Sequence, residues 1–256
     1  MSRKYCIPYG NHPSQFGELW MPDDLENCPV VVTIHGGFWQ AKYDLYENNP
    51  ICKDLMDRGF ATWNIEYRRV GEKGGGWPGT FNDVVAAVNH LAKLKNVYKI
   101  DLANVVIIGH SAGGHLGLWL AARSKVTGDE DIFTELVVPI GKVISLAGVT
   151  DLKKMWNIHH KLGINSVVGN LLGGSPLEQA ERYAIASPIK LLPDNIEQIL
   201  IHGELDKHVP VELSKEYYEK LQRINRKVSL TVLKDIEHFK LINPSSSAWE
   251  TVIQAI

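Results

Sequence analysis

A serine between two glycines is the sharpest chemical signal in the sequence. Residues 109–113 read Gly-His-Ser-Ala-Gly, the G-x-S-x-G spacing of a nucleophile elbow. They directly follow the apolar run 105–108 and lead into a second apolar segment. A strand-to-helix turn there exposes the serine hydroxyl and directs the helix N-terminus at a developing oxyanion. The pattern predicts Ser111 as the nucleophile of an acyl transfer, with an ordinary glycine-rich turn as the alternative.

A glycine pair ends an earlier apolar run. Residues 29–34 are rich in β-branched side chains, and residues 35–39 read His-Gly-Gly-Phe-Trp. Small residues at a strand end let backbone N–H groups approach a bound carbonyl oxygen. By analogy with other H-G-G loops, we expect the N–H groups of Gly37, Phe38 and Ala112 to form an oxyanion hole. A simple strand-ending turn is the alternative.

The base and acid of a serine triad follow the nucleophile in the order Ser, Asp or Glu, His. His238 lies just beyond the final apolar run, where a returning loop can reach the serine. Asp206 follows the fifth apolar run and is the expected acid, with Glu204 and Asp151 as reserves. In this assignment His238 deprotonates Ser111, while Asp206 orients the imidazole and stabilises its cation. The alternative for each carboxylate is a solvated loop residue.

Apolar runs that alternate with helical segments must position these groups. Runs that are apolar throughout are typical of strands covered on both faces, as in a parallel sheet. One helical segment opens with Thr80 and Asp83 in capping-box spacing. The alternation predicts a doubly wound α/β sheet. The predicted strands are 29–34, 61–67, 105–108, 142–146, 198–201 and 228–233, and the predicted helices are 80–94, 116–122, 211–224 and 248–256.

One long connection interrupts this rhythm. Residues 151–195 separate two predicted strands and are far longer than an ordinary connection, which is typical of a lid or binding element. We therefore expect one domain over residues 1–256, with a lid or cap insert at about 151–195. Aromatic and apolar residues in the insert or beside the motif loops are expected to line a substrate pocket, with ordinary core packing as the alternative. These pocket candidates are Trp39, Trp77, Trp156, Leu172 and Phe239.

The composition excludes several other classes of function. The formal net charge is −2, from 27 basic and 29 acidic residues, without the basic face that nucleic acid or an anionic membrane would require. The sequence has no apolar signal-peptide core near its N-terminus and no apolar run of about eighteen residues. Its three cysteines show no disulfide framework, although Cys28 and Cys52 could pair. We expect a cytoplasmic protein.

These motifs together resemble the small α/β-hydrolases that span the hormone-sensitive-lipase-like esterases and the kynurenine formamidase-like enzymes. The resemblance implies an α/β-hydrolase fold, a mostly parallel central sheet with helices on both faces, a Ser-Asp-His triad, and neither a metal nor an organic cofactor. His110 stands where the lipase-like branch commonly has an acidic residue. Phe38 stands where that branch has a third glycine; its side chain would narrow the space beside the oxyanion hole, which suits a small acyl group. The resemblance rests on residues 9–19, 35–39, 66–69, 75–84, 109–114, 172–176, 186–189, 202–210 and 238–239.

Three functions remain open. We expect a carboxylesterase that cleaves small esters with short-chain or aromatic acyl groups through an acyl-enzyme. The alternative is an amidase-type hydrolase, either an arylformamidase or a small peptidase, because the H-G-G-x-W form resembles that of kynurenine formamidases. A non-catalytic binding protein comes third, since the intact triad argues against it. The expected partner is a small acyl ester or amide, not nucleic acid or a membrane, and a homodimer is left open.

Overall fold

The centre of the described chain is one mixed sheet. The computed structural model describes residues 3–23, 27–126, 131–132 and 135–256. The strands are β1 Arg3–Pro8, β2 Phe16–Met21, β3 Cys28–Ile34, β4 Ala61–Ile65, β5 Ile100–His110, β6 Ile140–Leu146, β7 Glu197–Gly203 and β8 Val228–Leu233. Their order across the sheet is β1-β2-β4-β3-β5-β6-β7-β8. β1 and β2 pair antiparallel and β2 pairs antiparallel with β4, while all pairings from β4 to β8 are parallel.

The helices include the four segments that the sequence predicts. Helix α1, which no sequence pattern indicated, follows a 3-10 turn at Leu45–Asn48. The helices are α1 Asn49–Asp57, α2 Gly79–Tyr98, α3 Ala112–Ala121, α4 Leu152–Lys161, α5 Val167–Leu172, α6 Ala180–Ala186, α7 Pro188–Leu191, α8 Val211–Arg223 and α9 Ser247–Gln254.

The capping box predicted at Thr80 and Asp83 is wrong. Helix α2 begins at Gly79, and its N-cap residue, Pro78, makes no side-chain capping bond. The Thr80 hydroxyl instead donates to the Arg68 carbonyl and accepts from the Gly76 N–H. Asp83 accepts hydrogen bonds from the Arg68 side chain and backbone. Both side chains therefore fix the preceding loop rather than the helix end.

The sheet separates two hydrophobic clusters. Val30, Val32 and Ile34 of β3 pack on one side with residues of α2, α3 and α8. Val31, the alternate residue, packs on the other side with residues of α1 and α9. Because side chains alternate along a strand, a run that is apolar throughout serves both faces. This arrangement confirms the predicted α/β sheet with helices on both faces.

Residues 151–195 contain α4 to α7 and pack against the helix that follows Ser111. The His115 ring lies 2.9 Å from the Ala186 carbonyl, and the Trp119 indole donates to the Ile185 carbonyl. Leu152 and Met155 of α4 belong to the same hydrophobic cluster as the sheet residues of that side. The single domain and the role of this segment as a lid both stay predictions.

Helix α3 meets strand β3 backbone to backbone, and two glycines permit this approach. A Cβ atom at Gly113 would lie 2.0 Å from the Ile34 carbonyl oxygen, and one at Gly109 would lie 2.2 Å from the Gly113 oxygen. Contacts under 3.0 Å do not occur for real Cβ atoms. The two glycines of the G-x-S-x-G motif therefore let the turn at Ser111 sit directly against the end of β3.

We expect Gly113→Ala to lower the free energy of unfolding by about 3 kcal/mol or more, because the added methyl group meets backbone that cannot move alone. Gly117→Ala in the same helix is the control, since its Cβ would lie 3.2 Å from a movable Ile107 methyl group. We expect this control to change stability by less than about 1 kcal/mol. Urea unfolding of both variants measures the difference. Equal effects would contradict the close-approach account.

Candidate active site

Ser111 occupies a strained turn between β5 and α3. Its φ of 54° and ψ of −116° lie in a region that non-glycine residues rarely adopt. The Ser111 N–H donates to the Leu146 carbonyl at 2.8 Å, and its carbonyl accepts from the His115 N–H at 3.0 Å. Helix α3 begins at the next residue, Ala112. Ser111 therefore has the strand, sharp turn and helix that its motif predicts.

The loop after β3 turns through three successive left-handed residues. Gly37, Phe38 and Trp39 have φ values of 89°, 49° and 57°. The loop is fixed at its start by His35, whose Nε2 lies 2.8 Å from a buried Glu66 carboxylate oxygen. The His35 ring also stacks on Tyr67 with centroids 4.5 Å apart. Backbone strain held by buried side chains is typical of functional loops.

The Asp206 carboxylate is wholly buried and surrounded by donors. Its Oδ2 accepts from His238 Nδ1 at 2.5 Å and lies 3.2 Å from His202 Nε2. Its Oδ1 accepts from the N–H groups of His208 and Val209 at 2.8 and 2.9 Å. Burial alone would raise the pKa of Asp206, but the hydrogen bonds from His202 and His238 outweigh it and hold the pKa well below the ordinary value. Asp206 is therefore ionised beside His238.

His202 was not among the predicted site residues. Its Nδ1 lies 2.8 Å from the Ser214 hydroxyl, and its Nε2 lies 2.9 Å from the Val209 carbonyl. The four-residue separation of His202 and Asp206 is the only sequence signal of this contact. His202 thus gives the buried carboxylate a second imidazole partner.

His238 begins a short 3-10 turn after β8 and is almost completely buried. Burial lowers the pKa of His238 to about 4; the hydrogen bond to Asp206 opposes this, and the nearby His110 and His208 rings add to the lowering. The imidazole is therefore neutral at neutral pH. Because Nδ1 faces the carboxylate and carries the proton, Nε2 is the free acceptor.

The reserve acids lie elsewhere. Asp151 accepts a hydrogen bond from the Lys154 N–H at 2.9 Å and caps helix α4. Glu204 is exposed. The structure thus brings Asp206, and not these two residues, into contact with His238.

The five predicted pocket residues fall into three groups: two lie in the core, one is half-buried, and two line cavities. Trp39 and Leu172 have no exposed surface and lie in the hydrophobic core, where packing accounts for them. Trp77 is half-buried against Phe81, with ring centroids 5.0 Å apart. Phe239 is 55% exposed and lines a cavity of about 140 Å³ beside His238. Trp156 lines a wider, more open cavity of about 520 Å³ together with residues of the 165–175 segment.

The described residues contain neither a cluster of metal ligands nor a membrane-spanning helix. Within 3–23, 27–126, 131–132 and 135–256, no three His, Cys, Asp or Glu side chains lie close enough to hold a metal ion. None of the helices in those ranges combines the length and apolar character that a membrane span requires.

The sheet order, the strained turn at Ser111 and the α-helices on both faces define an α/β-hydrolase fold, as the sequence predicts. The sequence model of the BD-FAE family matches residues 18–221, and the chain belongs to this family. Together with curated relatives named as a carboxylic ester hydrolase and a kynurenine formamidase, this match confirms the resemblance to the esterase and formamidase group of α/β-hydrolases.

Curated relatives and solved structures both match most of this chain. The chain is 23% identical over 225 residues to a probable carboxylic ester hydrolase, LipM, of Mycobacterium tuberculosis, covering 86% of this chain but only 52% of that protein. It is 24% identical over 248 residues to the kynurenine formamidase of Drosophila melanogaster, covering 94% and 76%. The chain thus spans about half of the mycobacterial protein. A truncated carbohydrate esterase from gut microbiota superposes with a TM-score of 0.84 at 21% identity, covering 100% of this chain and 94% of that one.

We expect the His238 imidazole to titrate below the usual histidine value of about 6.5. Asp206→Asn should lower the pKa of His238 further, because the carboxylate favours the imidazolium form. His208→Gln is the control and should raise the pKa of His238, since it removes a ring whose charge disfavours the imidazolium form. Ring resonances followed by NMR against pH measure all three. A rise in the Asp206→Asn variant would contradict the account.

Proposed function

We propose that the chain is a serine hydrolase that cleaves small carboxylic esters, with Ser111, His238 and Asp206 as its triad. The observation that carries this proposal is the buried 2.5 Å contact between Asp206 Oδ2 and His238 Nδ1. His238 in turn packs against His110, the neighbour of Ser111, with ring centroids 4.5 Å apart. Serine acyl transfer requires an oriented neutral imidazole near the serine, and His238 contacts the residue next to a serine on a strained turn.

In the proposed reaction, Nε2 of His238 takes the hydroxyl proton as Ser111 Oγ attacks the ester carbonyl carbon. The N–H groups of Gly37, Phe38 and Ala112 hold the resulting oxyanion. Collapse of the tetrahedral intermediate breaks the bond to the leaving alcohol, which receives the proton from His238. Water, deprotonated in its turn by His238, then attacks the acyl-enzyme; the bond to Ser111 Oγ breaks, Oγ regains its proton from His238, and the acid is released.

The surroundings of Phe38 support a small acyl group. Its ring contacts Trp39 and His159 with centroids 6.3 and 6.0 Å apart, so bulky side chains stand beside the proposed oxyanion hole. His159 belongs to α4, which brings the 151–195 segment to this loop and supports its role as a cap. We therefore propose short-chain or small aromatic acyl esters as substrates.

An arylformamidase activity is the second candidate. The match to the fly kynurenine formamidase covers 94% of this chain and 76% of that protein, a larger share of the relative than the mycobacterial match covers. The same three residues would perform both reactions, because a formamide is also cleaved through a tetrahedral intermediate. Only the relative turnover of matched substrates separates the two activities.

We expect wild-type protein to hydrolyse p-nitrophenyl acetate and butyrate faster than octanoate, with N-formylkynurenine as the competing formamide. Ser111→Ala should lower kcat by on the order of a million-fold, because it removes the nucleophile. Ser145→Ala is the control: this buried hydroxyl on the adjacent strand has no hydrogen-bond partner among the described residues.

Steady-state kinetics on purified variants measure these rates. A Ser111→Ala protein that retains a tenth of the activity would refute the nucleophile assignment. A kcat/KM for the formamide well above that of every ester would make formamide hydrolysis the principal activity.

A further inference from the structure

One acid–imidazole pair near Ser111 has no part in the proposed triad. The Glu47 Oε1 atom lies 2.9 Å from His110 Nδ1, and the two side chains are 18% and 1% exposed. His110 immediately precedes Ser111 in the chain. A carboxylate directed into the protein beside a buried ring requires a specific partner, because unpaired buried charge is strongly unfavourable.

Glu47 also holds the loop after β3, residues 35–39, which is here called the oxyanion loop. The same Oε1 atom accepts a hydrogen bond from the Gly36 N–H at 3.1 Å, one residue before Gly37. Burial would raise the pKa of Glu47, but the hydrogen bond and charge of His110 outweigh it and lower the pKa to about 2. One oxygen of an ionised carboxylate thus joins the loop after β3 to the end of β5.

His110 continues the contact to the loop that carries His238. Its Nε2 lies 3.3 Å from the His238 carbonyl oxygen. The two rings are 4.5 Å apart, and Phe239 is 5.8 Å from the same imidazole. Both ring nitrogens of His110 therefore face oxygen acceptors.

We propose that Glu47 and His110 are positioning residues that hold three segments at fixed separations. These are the oxyanion loop, the turn at Ser111 and the loop after β8 that carries His238. This inference rests on the proposed function, because it gives these three segments their catalytic meaning. The segments follow β3, β5 and β8, three separate strands of the sheet, so chain connectivity does not set their spacing. The contacts from Gly36 through Glu47 and His110 to the His238 carbonyl link all three.

The inference predicts a loss in kcat rather than in KM. Glu47→Gln keeps the shape of the side chain but removes its charge, and His110→Asn keeps a donor near the Nδ1 position but loses the contact to the His238 carbonyl. We expect each to lower kcat for p-nitrophenyl acetate by on the order of ten- to a hundredfold, because displacements of about 1 Å have such effects on catalysis. KM should stay within about threefold, since the pair does not touch substrate.

The control is Asp54→Asn. This carboxylate is 26% exposed and accepts hydrogen bonds from Arg58 and the Trp249 indole, so it matches Glu47 in burial and pairing. It lies on α1 and is outside the proposed site. We expect the kcat of Asp54→Asn to equal that of the wild type within about twofold.

The Glu47→Gln/His110→Asn double variant should resemble the slower single variant, because the effects of coupled residues are not additive.

Urea unfolding establishes that each variant is folded under assay conditions. If Glu47→Gln does not fold, His110→Asn carries the test with the same expected change. Wild-type kcat in folded Glu47→Gln, a rise in KM alone, or an equal loss in Asp54→Asn would overturn the positioning role and leave the triad intact. A wild-type protein that turned over neither ester nor formamide would overturn the proposed function and this inference together.

Discussion

The Asp206 carboxylate, with 0% of its side chain exposed, accepts hydrogen bonds from two backbone N–H groups and one imidazole and lies within 3.2 Å of a second imidazole. A buried charge with fewer partners would destabilise the fold, so the loop that follows β7 must wrap around this group. Its carboxylate in turn holds His238, which lies in the turn after β8. The position of the imidazole therefore depends on this one ionised group.

The backbone contributes the second constraint. Because Gly109 and Gly113 lack a Cβ, α3 starts directly against the end of β3 and brings the serine turn beside the H-G-G loop. The carboxyl ends of the parallel strands lie at one edge of the sheet, and ligands bind at that edge in α/β folds. The site is therefore built from loops that the sheet brings together, and side-chain contacts such as that between Glu47 and His110 adjust their spacing.

The central strands and the serine turn were predictable because each leaves a local pattern. Strands buried on both faces are apolar throughout, and the elbow has fixed glycine spacing. β1 could not be read this way, since its residues alternate between exposed and half-buried and form no apolar run. The contact between Glu47 and His110 joins residues 63 positions apart, and no spacing encodes it. The contact between His202 and Asp206 leaves only a four-residue separation as its signal. The capping box predicted at Thr80 was wrong because the Thr80 hydroxyl makes its hydrogen bonds to the preceding loop instead of the helix end.

Labelling with a fluorophosphonate, followed by mass spectrometry of the digested protein, tests the central claim most directly. Such a reagent reacts with a serine only when a neighbouring base and oxyanion hole activate it. The account predicts one label per chain, on Ser111. It predicts reduced labelling of Asp206→Asn, because the base is then no longer oriented. An unlabelled wild-type protein, or a label on another residue, would contradict the account.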